Sequence, residues 1–180
     1  MTAWQGLFDK GGLASGQSVL IHGAAGGVGH FAVQLAKARG AKVFATCSAK
    51  DVDFVRDLGA DEVIDYEAQR FEDIASDIDM VFDLVNGETQ DRSWDVLKDG
   101  GIIVSTLRAP PEEKAKQHHG RGAHYMAHPD GRELRQIAML IEAGEVRPHI
   151  ARTFALADAA RAEETLEKDH IQGKIVLEVR

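Results

Sequence analysis

The stretch Ser18-Val-Leu-Ile-His22, followed by Gly23-Ala-Ala-Gly-Gly-Val-Gly29, decides the fold of this chain. Residues 18–22 are rich in β-branched side chains, which predicts a short strand. Apolar side chains recur at helical spacing from residue 28 to residue 39, so the glycines lie between a strand and a helix. Glycine allows a sharp turn and lets backbone N–H groups approach a pyrophosphate at the helix N-terminus. The stretch is typical of a dinucleotide-binding turn, although such turns also serve as plain strand-to-helix connections.

Short apolar runs alternate with stretches of helical spacing along the rest of the chain. This alternation is typical of βαβ units in a parallel sheet. We therefore predict an α/β fold, a Rossmann-type doubly wound parallel sheet with helices on both faces. The predicted strands are 18–22, 42–46, 62–65, 80–84, 102–105 and 123–126, and the predicted helices are 28–39, 51–58 and 130–143.

The pattern beyond residue 148 is different. A strand at 150–154, a helix at 158–168 and a strand at 174–179 predict a β-α-β tail, and its apolar positions need a partner surface. We place a cofactor-binding domain at residues 1–148 and this tail at residues 149–180.

Composition narrows the class of protein. The chain has 180 residues, 44% of them hydrophobic, which fits a folded domain with a sizeable core. Its 21 Lys and Arg against 29 Asp and Glu give a net charge of −8, which disfavours attraction to nucleic acid or to an anionic membrane. No apolar run reaches the roughly 18 residues of a membrane span, and residues 1–17 show no secretory signal. The single cysteine, Cys47, cannot form an internal disulfide, so we predict a cytoplasmic protein without nucleic-acid or membrane partners.

The residues after the second predicted strand bear on the choice of cofactor. A site that prefers NAD usually carries an acidic residue about 20 positions after the glycine-rich turn, where it accepts the ribose 2′-hydroxyl. No Asp or Glu occurs between Gly40 and Lys50, whereas Ser48 and Lys50 suit a 2′-phosphate. We therefore predict NADP(H) over NAD(H). The alternative is that Ser48 caps the following helix and that Lys50 is a solvated surface side chain.

Four histidines raise the question of a metal site, since imidazole is a common ligand. They come without a cysteine or a recognisable ligand spacing, and two neighbours on a regular strand point to opposite faces. We predict no metal site and name no catalytic acid or base. The four are His118, His119, His124 and His128.

Several motifs in order resemble the cofactor domain of medium-chain dehydrogenase/reductases, and within them the zinc-independent quinone oxidoreductases. The motifs are TAW at 2–4, GAAGGVG at 23–29, ATCS at 45–48, LGADEVIDY at 58–66 and GKIVL at 173–177. The resemblance covers nearly the whole chain. It implies that an N-terminal GroES-like domain of the family is absent here and that the tail would complete that catalytic domain.

The resemblance also implies a cofactor site. The glycine-rich turn would hold the pyrophosphate, and Ser48 and Tyr66 would hold the 2′-phosphate. The segment 83–87 (DLVNG) stands where the family has a turn beside the cofactor, with Asn86 inserted before a single glycine. The end of the fifth strand would flank the nicotinamide. The predicted cofactor-binding residues are Gly23, Ala24, Ala25, Gly26, Gly27, Val28, Gly29, Ser48, Lys50, Tyr66, Val85, Ser105, Thr106 and Leu107.

Three functions follow as hypotheses. The first is an NADPH-dependent reductase that transfers a hydride to a quinone or an enone, represented by its cofactor domain, and homodimeric through a sheet edge near residues 123–126. The second is an NADP(H)-binding module without catalysis of its own. The third, an S-adenosylmethionine-dependent methyltransferase, also uses a glycine-rich loop after a first strand. It should carry an acidic residue after the second strand, so the gap at residues 40–50 counts against it.

Overall fold

A six-stranded parallel sheet in the order β3-β2-β1-β4-β5-β6 forms the centre of the molecule. The computed structural model describes residues 1–179. This strand order, with its reversal between β1 and β4, is that of the Rossmann fold and confirms the predicted class. The strands are β1 Ser18–Ile21, β2 Lys42–Cys47, β3 Glu62–Asp65, β4 Ile78–Asp83, β5 Leu97–Ser105 and β6 Arg121–His124.

Helices cover both faces of the sheet. The first, α1, continues into a π-helical turn at Gln5–Lys10, and short 3₁₀ turns lie at Ala49–Asp51, Phe71–Asp73, Trp94–Val96 and Leu156–Asp158. The α-helices are α1 Thr2–Trp4, α2 Gly29–Ala38, α3 Val52–Asp57, α4 Glu88–Ser93, α5 Glu112–Gln117, α6 Gly131–Glu142 and α7 Ala159–Lys168.

Alternate residues of each strand feed two separate cores. Val19 and Ile21 of β1 pack on one face, together with buried side chains of α2 and α6. Leu20, between them, packs on the other face with Phe71 and Trp94. Because side chains alternate across a strand, burial of both faces explains why the strands read as continuous apolar runs.

The strands match the sequence prediction with shifts at their ends. The strand predicted at 80–84 is Ile78–Asp83, and the one predicted at 123–126 begins earlier, as Arg121–His124. The polar segment before it, where the sequence predicts no helix, contains α5, which buries only Ala115. The order of the strands places β6 at the edge of the sheet, as predicted.

The predicted β-α-β tail is confirmed. β7 (Ile150–Ala155) and β8 (Lys174–Glu178) pair in parallel as a separate two-stranded sheet joined by α7. Several apolar side chains of this tail are exposed, among them Ile150 and Val179. Gly173 ties the tail to the main sheet through its N–H, which donates to the carbonyl oxygen of Ala25 at 2.9 Å. Residue 180, the last of the predicted tail, lies outside the described residues.

Across residues 1–179, the helices are all too short or too polar to cross a lipid bilayer.

Replacing Gly29 by alanine should destabilise the fold. A Cβ at this position would collide with the carbonyl oxygen of Gly23 and lie 2.7 Å from the Ala24 Cα, and both are backbone atoms that cannot turn away. We expect Gly29→Ala to lower the unfolding free energy by about 2–4 kcal/mol, measured by urea unfolding. Gly131→Ala is the matched control, because the nearest atom to its added methyl group is the tip of Arg135 at 3.9 Å. Equal stability of the two variants would contradict the prediction.

Candidate functional site

A cavity of about 550 Å³ opens at the carboxyl ends of the strands, on either side of the reversal between β1 and β4. Ligands of open α/β sheets bind at this place, because the loops leave the sheet in opposite directions there. The wall is made by residues that follow β1, β2, β3 and β4, by α4, and by the loop between α7 and β8. The lining residues are His22, Gly23, Ala25, Gly26, Thr46, Cys47, Ser48, Asp51, Tyr66, Gln69, Phe71, Leu84, Val85, Thr89, Arg92, His170 and Ile171.

The glycine-rich turn forms one wall with its backbone. Gly23 has a φ of +71°, a left-handed conformation that favours glycine. The N–H of Ala24 donates to the carbonyl oxygen of Thr46 at 3.1 Å, which fixes the turn to the end of β2. The N–H of Gly26 donates back to Gly23. The N–H groups of Ala25, Gly27 and Val28 donate to no atom of residues 1–179 and remain available to an anion.

The tail runs directly past this turn. Gly27 is so close to it that an added Cβ would lie 3.0 Å from Nζ of Lys174 and 3.2 Å from the carbonyl oxygen of Gly173. The Lys174 ammonium therefore adds a positive charge beside the free N–H groups. A turn with unpaired donors, the N-terminus of α2 and a neighbouring lysine fit a pyrophosphate.

The end of β2 carries a carboxylate that the sequence argument did not include. Asp51 is 1% exposed and lines the cavity immediately after the acid-free stretch 40–50. Its Oδ2 accepts hydrogen bonds from Ser48 Oγ and from His170 Nε2, both at 2.5 Å, and its Oδ1 accepts one from Gln172 Nε2 at 2.9 Å. Burial alone would raise the pKa of Asp51, but these hydrogen bonds outweigh it and lower the pKa. The site after β2 therefore contains an ionised acid.

The other residues predicted for the 2′-phosphate are more exposed. Tyr66, just after β3, lines the cavity with 55% of its surface exposed. Lys50 lies outside the large cavity, on an adjoining hollow that it shares with Asp51, Arg152 and His170. The hydroxyl of Ser48 points to Asp51 and makes no cap hydrogen bond to the following helix.

Asp83 shapes the turn after β4. Its Oδ1 accepts from the N–H groups of Val85 and Asn86 at 3.0 and 2.8 Å, and its Oδ2 accepts from Gln90 Nε2 at 2.8 Å. Asn86 and Gly87 both have positive φ, at 69° and 65°. Asparagine tolerates this conformation better than most residues, which explains how the chain accommodates Asn86 before a single glycine. Val85 consequently projects into the cavity wall.

His22 stands at the floor of the cavity in a chain of hydrogen bonds. Ser93 Oγ donates to the carbonyl oxygen of Thr89 at 2.6 Å, so it accepts from His22 Nε2–H at 2.9 Å. The Nδ1 atom then accepts from Thr46 Oγ1 at 3.0 Å. Burial lowers the pKa of His22 to about 4, so the ring is neutral and links β2 to α4.

The structure brings some of the predicted residues into the cavity and leaves others outside it. Gly27 and Val28 line a smaller hollow beside α6. Ser105 is fully buried, and its Oγ accepts from the N–H groups of Leu107 and Arg108. Predicted residues that line the cavity are Gly23, Ala25, Gly26, Ser48, Tyr66 and Val85; those that do not are Ala24, Gly27, Val28, Gly29, Lys50, Ser105, Thr106 and Leu107.

Comparison with known proteins gives a consistent family. Residues 58–177 match the family described as zinc-binding dehydrogenase. Human NAD(P)H oxidoreductase RTN4IP1, mitochondrial, is 36% identical over 212 residues, which cover 99% of this chain and 53% of that protein. The 2-methylene-furan-3-one reductase of Solanum lycopersicum is 35% identical over 183 residues, which cover 98% of this chain and 44% of that protein. The structure of the quinone oxidoreductase from Coxiella burnetii superposes with a TM-score of 0.92 at 39% identity, over 99% of this chain and 57% of that one.

The chain belongs to the zinc-binding dehydrogenase family, in the medium-chain dehydrogenase/reductase superfamily. It spans about half the length of the curated relatives it matches and corresponds to their cofactor-binding half. Membership in a dehydrogenase family decides against the methyltransferase hypothesis. The human relative is named as mitochondrial, and the cytoplasmic location stays a prediction.

The family description names zinc, but the cavity residues do not fit a zinc centre. The only cysteine, Cys47, is buried in the cavity wall, and within residues 1–179 it lies in no group of three His, Cys, Asp or Glu side chains that are close enough to share an ion. Within residues 1–179, only His128, Asp130 and Glu133 are close enough to share an ion, and none of them lines the cavity. Asp130 caps α6, and Glu133 accepts from Gln5. We derive no chemistry through zinc.

Stability should depend on pH through His22. The pKa of His22 is lowered from 6.5 to about 4, so below pH 6.5 the unfolded chain binds a proton that the folded chain does not bind. The unfolding free energy therefore falls as the pH decreases from 6.5 to 4, by about 3 kcal/mol from this group. We expect His22→Gln to lack this component in urea unfolding measured between pH 7 and pH 4.5.

His124→Gln is the control, because His124 is exposed and does not line the cavity. If the unfolding free energies of the native chain and of His22→Gln fell equally between pH 7 and pH 4.5, the His22 ring would not be held neutral in the folded chain.

Proposed function

We propose that this chain is the cofactor-binding part of an NADPH-dependent reductase that transfers a hydride to a quinone or an enone. The observation that carries the proposal is the cavity at the reversal between β1 and β4, with unpaired N–H groups of the glycine-rich turn in or beside its wall. The relatives named as quinone oxidoreductase and as 2-methylene-furan-3-one reductase support this substrate class.

Each part of the site takes one part of the dinucleotide in this proposal. The turn at residues 23–29 and the Lys174 ammonium bind the pyrophosphate. Ser48, Lys50 and Tyr66 bind the 2′-phosphate, and Val85 packs beside the cofactor. Ser105, Thr106 and Leu107 flank the nicotinamide at the carboxyl end of β5.

The chain contributes binding and orientation. A bound nicotinamide supplies the hydride, since the hard chemistry belongs to the cofactor. Two ionisable groups of the cavity wall are already engaged: His22 is neutral and bonded on both nitrogens, and Arg92 forms a two-pronged ion pair with Glu72 at 2.5 and 2.7 Å. This ion pair lowers the pKa of Glu72 to about 2. The same observation favours the second candidate, an NADP(H)-binding module that leaves quinones unreduced.

Titration with NADPH and with NADH tests the proposal. Gly26→Asp should weaken both by at least about thirtyfold, because a carboxylate at the turn repels the pyrophosphate and competes for its donors. The added side chain has room, since the nearest atom to a Cβ at residue 26 lies at 3.4 Å. Lys50→Ala should weaken NADPH by about fivefold and leave NADH unchanged, because only NADPH carries the 2′-phosphate. Fluorescence of the reduced nicotinamide gives both dissociation constants.

Gly131→Asp is the matched control, since it adds the same charge at the start of α6, outside the cavity. Undiminished binding to Gly26→Asp would contradict the assignment of the turn.

A homodimer through the sheet edge is a further part of the proposal. β6 is an edge strand, and Met126, two residues beyond it, is 85% exposed. Unpaired strand edges are commonly covered by a second copy around a two-fold axis. Met126→Glu should convert a dimer to a monomer in sedimentation velocity, because two carboxylates would meet near the axis. Leu166→Glu on α7 is the control, and a monomeric native chain would overturn the proposal.

A further inference from the structure

Three side chains from two distant parts of the chain converge on one anion. Ser48 lies after β2, whereas His170 and Gln172 lie in the loop before β8, about 120 positions away. All three donate to the carboxylate of Asp51, at 2.5, 2.5 and 2.9 Å. We call these three donors the Asp51 cradle. A hydroxyl, an imidazole and an amide that converge in this way form a strong hydrogen-bonded site for anionic oxygens.

The Asp51 cradle stands where the proposed function needs an anion site. Ser48 is the residue assigned there to the 2′-phosphate, and its hydroxyl is engaged by Asp51. The carboxylate lines both the large cavity and the adjoining hollow, which also contains Lys50 and Arg152. A phosphate that approaches Ser48 therefore meets a buried negative charge and finds the nearest donors occupied. A ribose 2′-hydroxyl carries no charge and meets neither obstacle.

We propose that Asp51 is an internal competitor for the 2′-phosphate and thereby a specificity-determining residue that narrows the preference for NADPH over NADH. The inference rests on the proposed function, because it assumes that a nicotinamide dinucleotide occupies the cavity. His170 opposes the effect of Asp51, since its imidazole Nε2–H donates to the carboxylate and offsets part of the negative charge that the phosphate meets.

Asp51 also ties the tail to the segment after β2 through His170 and Gln172. If this structural role were its only one, replacing Asp51 would change the affinities for NADPH and NADH alike. The ratio of the NADPH and NADH dissociation constants separates the two roles. Asp51→Asn removes the charge with little change of shape, and its amide oxygen still accepts a hydrogen bond. His170→Ala keeps the charge of Asp51 and removes one of its hydrogen-bond donors. The two variants should therefore move the ratio of the NADPH and NADH dissociation constants in opposite directions.

The experiment titrates the full chain with NADPH and with NADH, and with 2′,5′-ADP as a probe of the phosphate end alone. Asp51→Asn should bind NADPH and 2′,5′-ADP about tenfold more tightly and NADH within twofold of the native chain. His170→Ala should bind NADPH about threefold more weakly, with NADH unchanged. The control is Asp53→Asn, since the Asp53 side chain is 93% exposed and paired with Arg56. Thermal unfolding of each variant shows whether the tail remains attached.

The outcomes are distinct. If the native chain binds neither dinucleotide, the proposed function fails and the inference fails with it. If both bind and Asp51→Asn shifts them equally, or weakens NADPH more than NADH, the proposed function stands and Asp51 is not a competitor. If Asp51→Asn and Asp53→Asn both bound NADPH about tenfold more tightly, the cause would be net charge in general, and the inference would be overturned.

Discussion

The close approach of Gly29 to the backbone of Gly23 and Ala24 is the contact on which the rest of the structure depends. A side chain at residue 29 would overlap these backbone atoms, so only glycine lets the first turn of α2 pack against the end of β1. This packing fixes the turn whose residues Gly23, Ala25 and Gly26 line the cavity. The bond from the Ala24 N–H to Thr46 then fixes the end of β2 at a set distance from the turn. The cavity is formed between the ends of β1 and β2 and the start of α2, which these contacts hold in place.

The tail completes the cavity from the opposite end of the chain. Gly173 bonds to Ala25, and Gln172 and His170 bond to Asp51, so one loop spans both the turn and the end of β2. Most of β7 and β8 is exposed, so the hydrogen bonds of this loop are an important link between the two-stranded sheet and the main domain. The hydrogen bonds of this loop therefore do two things together: they position the tail and they define the charge of the site.

The strands and the turn could be predicted from sequence because their signals are local. Short continuous apolar runs and the glycines at 23–29 report on the backbone directly. The position of Asp51 is not a local signal: it follows the acid-free stretch that ends at Lys50, and the 3₁₀ turn at Ala49–Asp51 folds its side chain back to Ser48. His170 lies 119 positions from its partner, and only the tertiary fold brings them together. The short helices α4 and α5 bury no large apolar side chain, so they carry no apolar period that would predict a helix.

The chemistry available to the cavity follows from how its ionisable groups are engaged. Among the described lining residues, Cys47 is held as a thiol, His22 as a neutral ring, and Asp51 and Arg92 as ions in hydrogen-bonded pairs. Each of these four groups is fixed in one protonation state by burial or by a partner, so none of the four is poised to exchange a proton near neutral pH. Such walls suit a site that binds charged groups and keeps their geometry constant. In the proposed reduction a bound dinucleotide would supply the hydride, and the proton that completes the reduced quinone or enone would come from water or from a group other than these four.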